Sequence, residues 1–181
     1  MKLSEGVEWG VHCAVLLAAL PPGATLAGRD LAAFHGVSDS YLLKHLQALA
    51  AAGILESVPG PKGGFRLARA PEEVTLLAMV QAIEGRQPAF RCTEIRQRGP
   101  AGLEAAAYRR PCGIHAAMAR AEVAWRKELR AVTLASLVAQ VQASLDPRAQ
   151  ERAAAWLLRH VREAGGGGRV SPGASDTAAS S

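Results

Sequence analysis

Three cysteines are the residues of this chain with the most distinctive chemistry. Their number and spacing favour metal ligands or redox groups over a disulfide framework in a cytosolic protein. Cys13 begins an apolar run that ends at Leu20, and it is therefore expected in the core. Cys92 and Cys112 bracket a stretch rich in charges, prolines and glycines. These two are the candidates for a metal site, although a thiol pair that oxidises directly, or two unrelated small residues, would have the same pattern.

A second set of residues suits contact with nucleic acid, because it places hydroxyls and cations at the start of an amphipathic helix. Leu42, Leu46 and Leu49 repeat at the spacing of one helix face, which predicts a helix from Ser38 to Leu49. Ser38 occupies the N-cap position. The leucine face is expected in the core, so that the polar side chains Ser40, Lys44 and Gln47 point outward.

Two further elements complete a DNA-binding architecture around this helix. Residues 29–35 predict a short helix that Gly36 ends, and a turn of about three to four residues then gives the spacing of a helix-turn-helix. Residues 54–58 and 65–67 predict two strands joined by the turn 59–64, which would form a basic wing. Adjacent helices with a leucine stripe occur in any all-α core, but the hairpin adds independent agreement, so we predict a winged helix. The residues expected at the DNA are Ser38, Ser40, Tyr41, Lys44, Lys62, Gly63, Gly64 and Arg66.

The composition predicts a mainly α protein with a polyanionic partner. Aromatic residues make up 4% of the 181 residues, and the formal net charge is +5. The longest apolar run, residues 13–20, is far shorter than the roughly 20 residues that span a bilayer. Because no secretory signal is recognisable either, we expect a cytoplasmic protein without a membrane partner. The sequence has no nucleotide-binding glycine motif and no nucleophile elbow, which argues against an enzyme.

The chain divides by pattern into four regions. Residues 1–84 are expected to form the winged helix-turn-helix domain, with a first helix over 4–20, and residues 85–112 an irregular insert that would hold the cluster-binding cysteines. Residues 113–164 predict a dimerisation helix followed by shorter C-terminal helices, and residues 165–181 a disordered tail. An apolar stripe covers about 28 Å of the long helix and needs a partner helix, so we predict a two-fold homodimer. Its positions are Ile114, Met118, Ala121, Trp125, Leu129 and Val132.

Over about residues 1 to 140, the sequence resembles the Rrf-type family of bacterial winged-helix regulators, which includes iron–sulfur and nitric-oxide sensors. The resemblance is carried by Tyr41–Leu49, by Ala52–Ser57 and by the wing Gly60–Arg69. It implies a dimer joined through a long helix like the one that starts near Gly113. It also implies binding to double-stranded DNA at dyad-symmetric operators, and several members carry iron–sulfur clusters.

The cysteines depart from the pattern of this family. Cluster-binding members commonly place three cysteines close together in the insert, whereas this chain has only Cys92 and Cys112 there. Two thiolates cannot fill the four ligand positions of a two-iron two-sulfur cluster. Glu8 and His12 are four residues apart and hence neighbours on one helical face. Similarity to a redox-sensing member, whose Glu, His, Cys, Cys ligand set is divided between subunits, implies that Glu8 and His12 hold one iron and the two cysteines the other.

A mixed ligand set has a consequence for redox chemistry. With a neutral imidazole in place of a thiolate, the oxidised cluster is one unit less negative than with four thiolates, and its reduction potential is higher. The redox poise of the cytosol could then switch it by one electron. Trp9, which adjoins Glu8, is the side chain expected to move when the charge of the cluster changes, or alternatively a core residue.

Three functions remain open from the sequence. The leading hypothesis is a transcription factor that senses redox state through a two-iron two-sulfur cluster, with Cys13 as a rival ligand to its neighbour His12. The second is a cluster-free regulator of the same fold that responds through a cysteine thiol switch or a protein partner, in which case Glu8 and His12 are an ordinary solvated pair. The third is a redox enzyme, which the absence of enzyme motifs disfavours.

Overall fold

The computed structural model describes residues 3–162, which form seven α-helices and one hairpin. The helices are α1 Glu5–Ala18, α2 Gly28–His35, α3 Asp39–Ala51, α4 Leu76–Glu84, α5 Gly113–Ala131, α6 Leu134–Ser144 and α7 Pro147–His160. The strands are β1 Leu55–Val58 and β2 Gly64–Leu67, which pair antiparallel. The mainly α winged-helix architecture predicted from the sequence is confirmed.

The core lies where α1, α2 and α3 meet. Leu31 of α2 and Leu42, Leu46 and Leu49 of α3 are fully buried. Burying one such side chain contributes about 1.5–3 kcal/mol. Gly36 ends α2 in the left-handed conformation with φ 66°, which a residue without a Cβ adopts freely. The predicted helix pair and its glycine stop are therefore present, and the leucine face of α3 is the buried one.

The ends of the helices are capped differently from the prediction. Ser38 precedes α3 at the N-cap position, but its side chain accepts no backbone hydrogen bond. Its hydroxyl lies 3.3 Å from the hydroxyl of Ser40 instead. Side-chain caps occur at three other helices, where Thr75, Thr133 and Asp146 accept from the backbone N–H groups of Ala78, Ser136 and Arg148.

The wing is extended by a third segment. Leu55 pairs with Leu67, and Val58 with Gly64, which gives a hairpin of two four-residue strands. Leu26 then bonds to Phe65 in both directions, N to O at 3.1 and 2.7 Å. Because Leu26 lies two residues before α2, this bridge ties the hairpin to the helix-turn-helix.

The C-terminal helices, which the sequence pattern groups with the dimerisation helix in residues 113–164, pack against the N-terminal helices. Leu134 of α6 is fully buried in the core, and its backbone N–H donates to Val74 at 2.8 Å. In α7, Trp156 lies edge-on to Phe34 of α2, with ring centroids 5.0 Å apart.

The insert contains two 3-10 turns, Ile95–Gln97 and Ala105–Tyr108. The predicted disordered tail 165–181 lies outside the described residues.

None of the helices between residues 3 and 162 has the length and the apolar character needed to cross a lipid bilayer.

Candidate DNA interface and cysteine pair

The exposed face of α3 brings together four of the residues that the sequence predicted at the DNA. Ser38, Ser40, Tyr41 and Lys44 are all exposed at or near the N-terminal end of the helix. Gln47 is exposed one turn further along. In a winged helix, this end of the second helix is the part that enters the major groove. The arrangement therefore offers hydroxyl, phenol and ammonium groups to base edges and phosphates.

The wing places Lys62 at its tip and crowds the two glycines that follow. Lys62 is exposed in the turn. A Cβ added to Gly63 would lie 2.1 Å from the carbonyl oxygen of Val58, and one added to Gly64 would lie 2.3 Å from that of Leu26. Both neighbours are backbone atoms that cannot move aside. The two glycines are thus needed for the close approach of three backbone segments.

Arg66 is engaged within the hairpin. It stands opposite Glu56 in the register, and its Nε and Nη2 donate to the two carboxylate oxygens of Glu56 at 2.9 and 3.1 Å. This fork holds the pKa of Glu56 below its usual value, mainly through the hydrogen bond from Arg66. Arg66 is consequently less free to bind a phosphate than Lys62, and its contact with DNA stays a prediction.

A buried histidine, which sequence reasoning missed, locks α3 onto α1. His45 is 6% exposed, and its ring fills the space over Gly6, where a Cβ would come within 2.2 Å of the ring. Its Nε2 is buried without a hydrogen-bond partner, and burial lowers its pKa. Position 45 lies three residues after Leu42 and four before Leu49, so the helical period itself placed it on the core face.

Trp9 joins the same contact between α1 and α3. Its ring meets that of Tyr41 edge-on, with centroids 5.2 Å apart, and Tyr41 in turn lies 4.7 Å from the ring of His45. Trp9 is half-buried. Its neighbours Glu8 and His12 are both exposed on α1, and the ring of His12 lies 5.8 Å from that of His35.

The two insert cysteines lie near each other at the N-terminal end of α5. Cys112 is the residue before the helix, both thiols lie beside Arg96, and Cys92 is near enough to contribute to the lowered pKa of Cys112. The pKa of the Cys112 thiol is lowered, first by the backbone N–H of His115, then by that of Ile114, with a smaller contribution from Arg96. A depressed pKa favours the thiolate, which is the form that binds metal and attacks oxidants.

Arg96 holds the two sides of the insert together beside these cysteines. Its Nε donates to Glu94 at 2.8 Å, and its Nη2 donates to the carbonyl of Arg110 at 2.7 Å. Glu94 also accepts from the Cys92 thiol at 3.8 Å. Glu94 has φ 50°, a left-handed conformation that costs about 1 kcal/mol for a residue with a Cβ.

The four predicted ligands do not meet within one subunit. Between residues 3 and 162, no three His, Cys, Asp or Glu side chains converge on a point that could hold a metal ion. The structure thus places Cys92 and Cys112 near each other, and Glu8 and His12 are exposed on α1. Cys13 is fully buried in the core, and burial raises its pKa to about 12.

Comparison with known proteins places this chain among transcriptional regulators. The family model Rrf2, described as an iron-dependent transcriptional regulator, matches residues 3–140. YwgB of Bacillus subtilis, named as an HTH-type transcriptional regulator, is 31% identical over 162 residues, which cover 90% of this chain and 98% of YwgB. Family and relative are regulators rather than enzymes, as the sequence predicted.

Solved structures show the same fold. CymR, the global cysteine regulator of B. subtilis, matches with a TM-score of 0.60 and 21% identity, over 77% of this chain and 98% of that one. IscR of T. potens matches with a TM-score of 0.60 and 19% identity, over 81% of this chain and 93% of that one. The winged-helix fold and the family match agree. The chain therefore belongs to the Rrf2 family of transcriptional regulators.

Proposed function

We propose that this regulator binds duplex DNA through α3 and the wing, and senses redox state through a two-iron two-sulfur cluster. Cys92 and Cys112 of one subunit would hold one iron, and Glu8 and His12 of the partner subunit the other. The observation that carries the proposal is the proximity of the two insert cysteines, which both lie beside Arg96 at the start of α5. The proposed ligand set also rests on the similarity of this sequence to a redox-sensing member of the family.

The chemistry of the residues fits such a cluster. Thiolates must be deprotonated to bind iron, and the N–H groups at the start of α5 favour the thiolate of Cys112. Glu8 and His12 lie exposed on one face of α1. In a dimer, this carboxylate and imidazole could be presented to the two cysteines of the other subunit. When bound, the cluster would supply a reversible one-electron step.

The link to DNA would run through α1. Trp9 adjoins Glu8 in sequence, and its ring contacts Tyr41, which lies on the face of α3 that we assign to DNA. A change of charge at Glu8 and His12 would therefore act on α1, which contacts the proposed DNA-binding helix α3 directly. Trp9 is accordingly proposed as the redox-coupled side chain.

The test is an anaerobic purification with an absorption spectrum and counts of iron and sulfide. The proposal expects visible absorption, and two irons and two sulfides for each pair of cysteines. It also expects different affinities for a DNA duplex in the oxidised form and after reduction by dithionite. A colourless protein without iron that still binds DNA would eliminate the cluster and leave the regulator.

A cluster-free thiol switch is the alternative, and the same proximity favours it. Cys92 and Cys112 lie near each other, and a peroxide could oxidise them to a disulfide, with two electrons passing to the peroxide and both thiol protons ending in water. Mass spectrometry of the colourless protein after peroxide treatment would show the loss of two hydrogens. That result, with a change in DNA affinity, would select this alternative.

The DNA interface makes a prediction about charge. Lys44→Ala is expected to weaken binding to a specific duplex by about 1–3 kcal/mol, because Lys44 faces the groove from α3. Lys62→Ala is expected to reduce the slope of log affinity against log salt by about one unit, because a wing lysine meets phosphate. Fluorescence anisotropy over a series of salt concentrations measures both. Lys127→Ala on α5 is the matched control, and equal affinity and slope in all three variants would contradict the interface.

We further propose that the chain is a two-fold dimer built on α5. Ile114 and Met118 on its first half are 67% and 42% exposed, and no residue of α5 is fully buried within the subunit. The second half of the stripe is partly covered by the chain itself, since Trp125 lines a cleft with Val80 and Pro88. The uncovered half is the surface that a second copy would bury.

Met118→Glu tests this dimer with less disturbance of the fold than a change at Trp125. We expect its dissociation constant to rise by at least about tenfold, since an unpaired carboxylate buried in an interface costs several kcal/mol. Analytical ultracentrifugation of the purified protein measures the change. Val123→Glu is the control, because Val123 is 68% exposed and lies about two and a half turns from Ile114, on the opposite face. A wild-type protein that is monomeric at micromolar concentration would refute the dimer.

A further inference from the structure

The helix α7 is docked on the DNA-binding domain, although it lies beyond residues 3–140 that match the family model. Trp156 packs against Phe34 of α2, and Leu157 and Val161 pack against the core. The ring of His160 stacks on Trp156 at 3.9 Å, and its Nδ1 lies 2.8 Å from the Trp156 carbonyl oxygen. These contacts fix the end of α7 beside α2 and bring the side chain of Arg162 to the wing turn.

Arg162 contacts the segment before α2 through its backbone and the wing turn through its side chain. Its N–H donates to the carbonyl of Thr25 at 3.0 Å, and its carbonyl accepts from the N–H of Thr25 at 2.9 Å. Its Nη1 donates to the carbonyls of Pro61 at 3.2 Å and Gly63 at 2.8 Å. Its Nη2 lies 3.4 Å from a carboxylate oxygen of Asp30 in α2. One guanidinium thus joins the wing turn to the first helix of the helix-turn-helix.

The wing turn depends on such external bonds. The carbonyls of Pro61 and Gly63 accept from Arg162, and the carbonyl of Lys62 between them accepts from the hydroxyl of Thr25 at 3.1 Å. Two four-residue strands are too short to be stable alone, so the position of their turn is decided by what holds it. The side chain of Arg162 is only 22% exposed, which strengthens its bonds relative to those at an open surface.

We propose that Arg162 is a positioning residue for DNA recognition, which fixes the wing turn, and with it Lys62, relative to α2. This inference rests on the proposed DNA-binding function. Arg162 acts through the carbonyls on either side of Lys62 rather than by contact with DNA. It follows that α7 is a structural part of the DNA-binding unit in this chain.

A direct phosphate contact by Arg162 is the competing explanation, and the two differ in their salt dependence. A phosphate contact contributes about one unit to the salt slope, and a lysine would supply it nearly as well. A forked guanidinium that spans two carbonyls and a carboxylate cannot be replaced by a point charge. Positioning therefore predicts an unchanged slope, and little rescue by lysine.

The experiment compares Arg162→Gln and Arg162→Lys with Arg159→Gln. Arg159 is an exposed arginine of α7, so its replacement gives the same change of charge without the wing contacts. The probe is the duplex that the wild-type protein enriches from a randomised pool. Arg162→Gln is expected to weaken binding about fivefold to tenfold, the effect of losing one typical hydrogen bond, at constant salt slope. Lysine should restore little, and Arg159→Gln should bind like the wild type.

A double-variant cycle adds a readout that general destabilisation would not produce. Lys62→Ala is expected to weaken binding less in the Arg162→Gln background than in the wild type. The reason is that Lys62 contributes less to DNA affinity when its position is not fixed. Additive effects, full rescue by lysine, or a slope reduced by one unit would each overturn the positioning role.

Amide hydrogen exchange in the free protein separates this inference from the proposed function. Faster exchange is expected at the Gly63 amide, which donates to the Gly60 carbonyl within the turn, in Arg162→Gln but not in Arg159→Gln. Unchanged exchange would overturn the inference even if the wild type binds DNA. If exchange is faster in Arg162→Gln but the wild-type protein enriches no duplex, the positioning role of Arg162 is supported and the proposed DNA-binding function is rejected.

Discussion

Replacing Cys112 by alanine is expected to abolish the visible absorption of the anaerobically purified protein, and Cys92→Ala is expected to do the same. The two thiols lie near each other, and each variant leaves one thiolate where the iron of the proposed cluster needs two. Absorption spectra and iron counts on protein adjusted to equal concentration measure the effect. The fold should survive both changes, since each cysteine is only partly buried in the insert, and circular dichroism checks this.

Two further variants on α1 serve as controls for the ligand set. Cys13→Ala should keep the colour, because this thiol is fully buried in the core with a pKa of about 12 and is not available as a thiolate. His12→Ala should lose the colour or weaken it, because His12 is exposed and proposed as a ligand. The reverse result, with colour lost in Cys13→Ala and fully kept in His12→Ala, would show that the wrong neighbour was chosen.

Gly64→Ala is expected to displace the wing and to reduce affinity for DNA by on the order of tenfold or more. A Cβ at this position would lie 2.3 Å from the carbonyl oxygen of Leu26, and that backbone is bonded to Phe65 at 2.7 Å. The β2 strand must therefore move away from Leu26, and the hydrogen bonds between Leu26 and Phe65 are weakened or lost. The free energy of unfolding should fall by about 1–3 kcal/mol, as for overpacking at a rigid site. Urea denaturation and fluorescence anisotropy measure the two effects.

Gly28→Ala provides the matched comparison for this second prediction. Gly28 lies in the first turn of α2, and a Cβ there would make ordinary contacts, the nearest with the ring of Phe65 at 3.5 Å. The variant should leave stability and DNA affinity close to those of the wild type. If Gly64→Ala behaved in the same way, the close approach of β2 to Leu26 would not be essential to the wing.

The sequence by itself determined the elements of the DNA-binding domain. The leucine period of α3 and the glycine that ends α2 are local signals, and so is the turn before β2. Each depends on residues within one or two turns of one another, so that the chain needs no distant partner to express them. The same period placed His45 on the core face, although its packing over Gly6 needed the position of α1.

The contacts between segments were decided only by the tertiary structure. The engagement of Arg66 by Glu56 depends on strand register, and the meeting of Cys92 with Cys112 depends on how Arg96 folds the insert. Sequence periodicity does not predict such pairs, because a contact between residues that are distant in the chain does not affect the pattern of residues around either one.

Arg162 is the extreme case of this limit. It lies 101 residues after Pro61 in the chain and yet donates a hydrogen bond to its carbonyl. From the sequence, residues 148–162 read only as a short C-terminal helix grouped with the dimerisation helix. The packing of Trp156 on Phe34 places that helix on the DNA-binding domain, since an exposed aromatic face is buried best where the core leaves a matching surface.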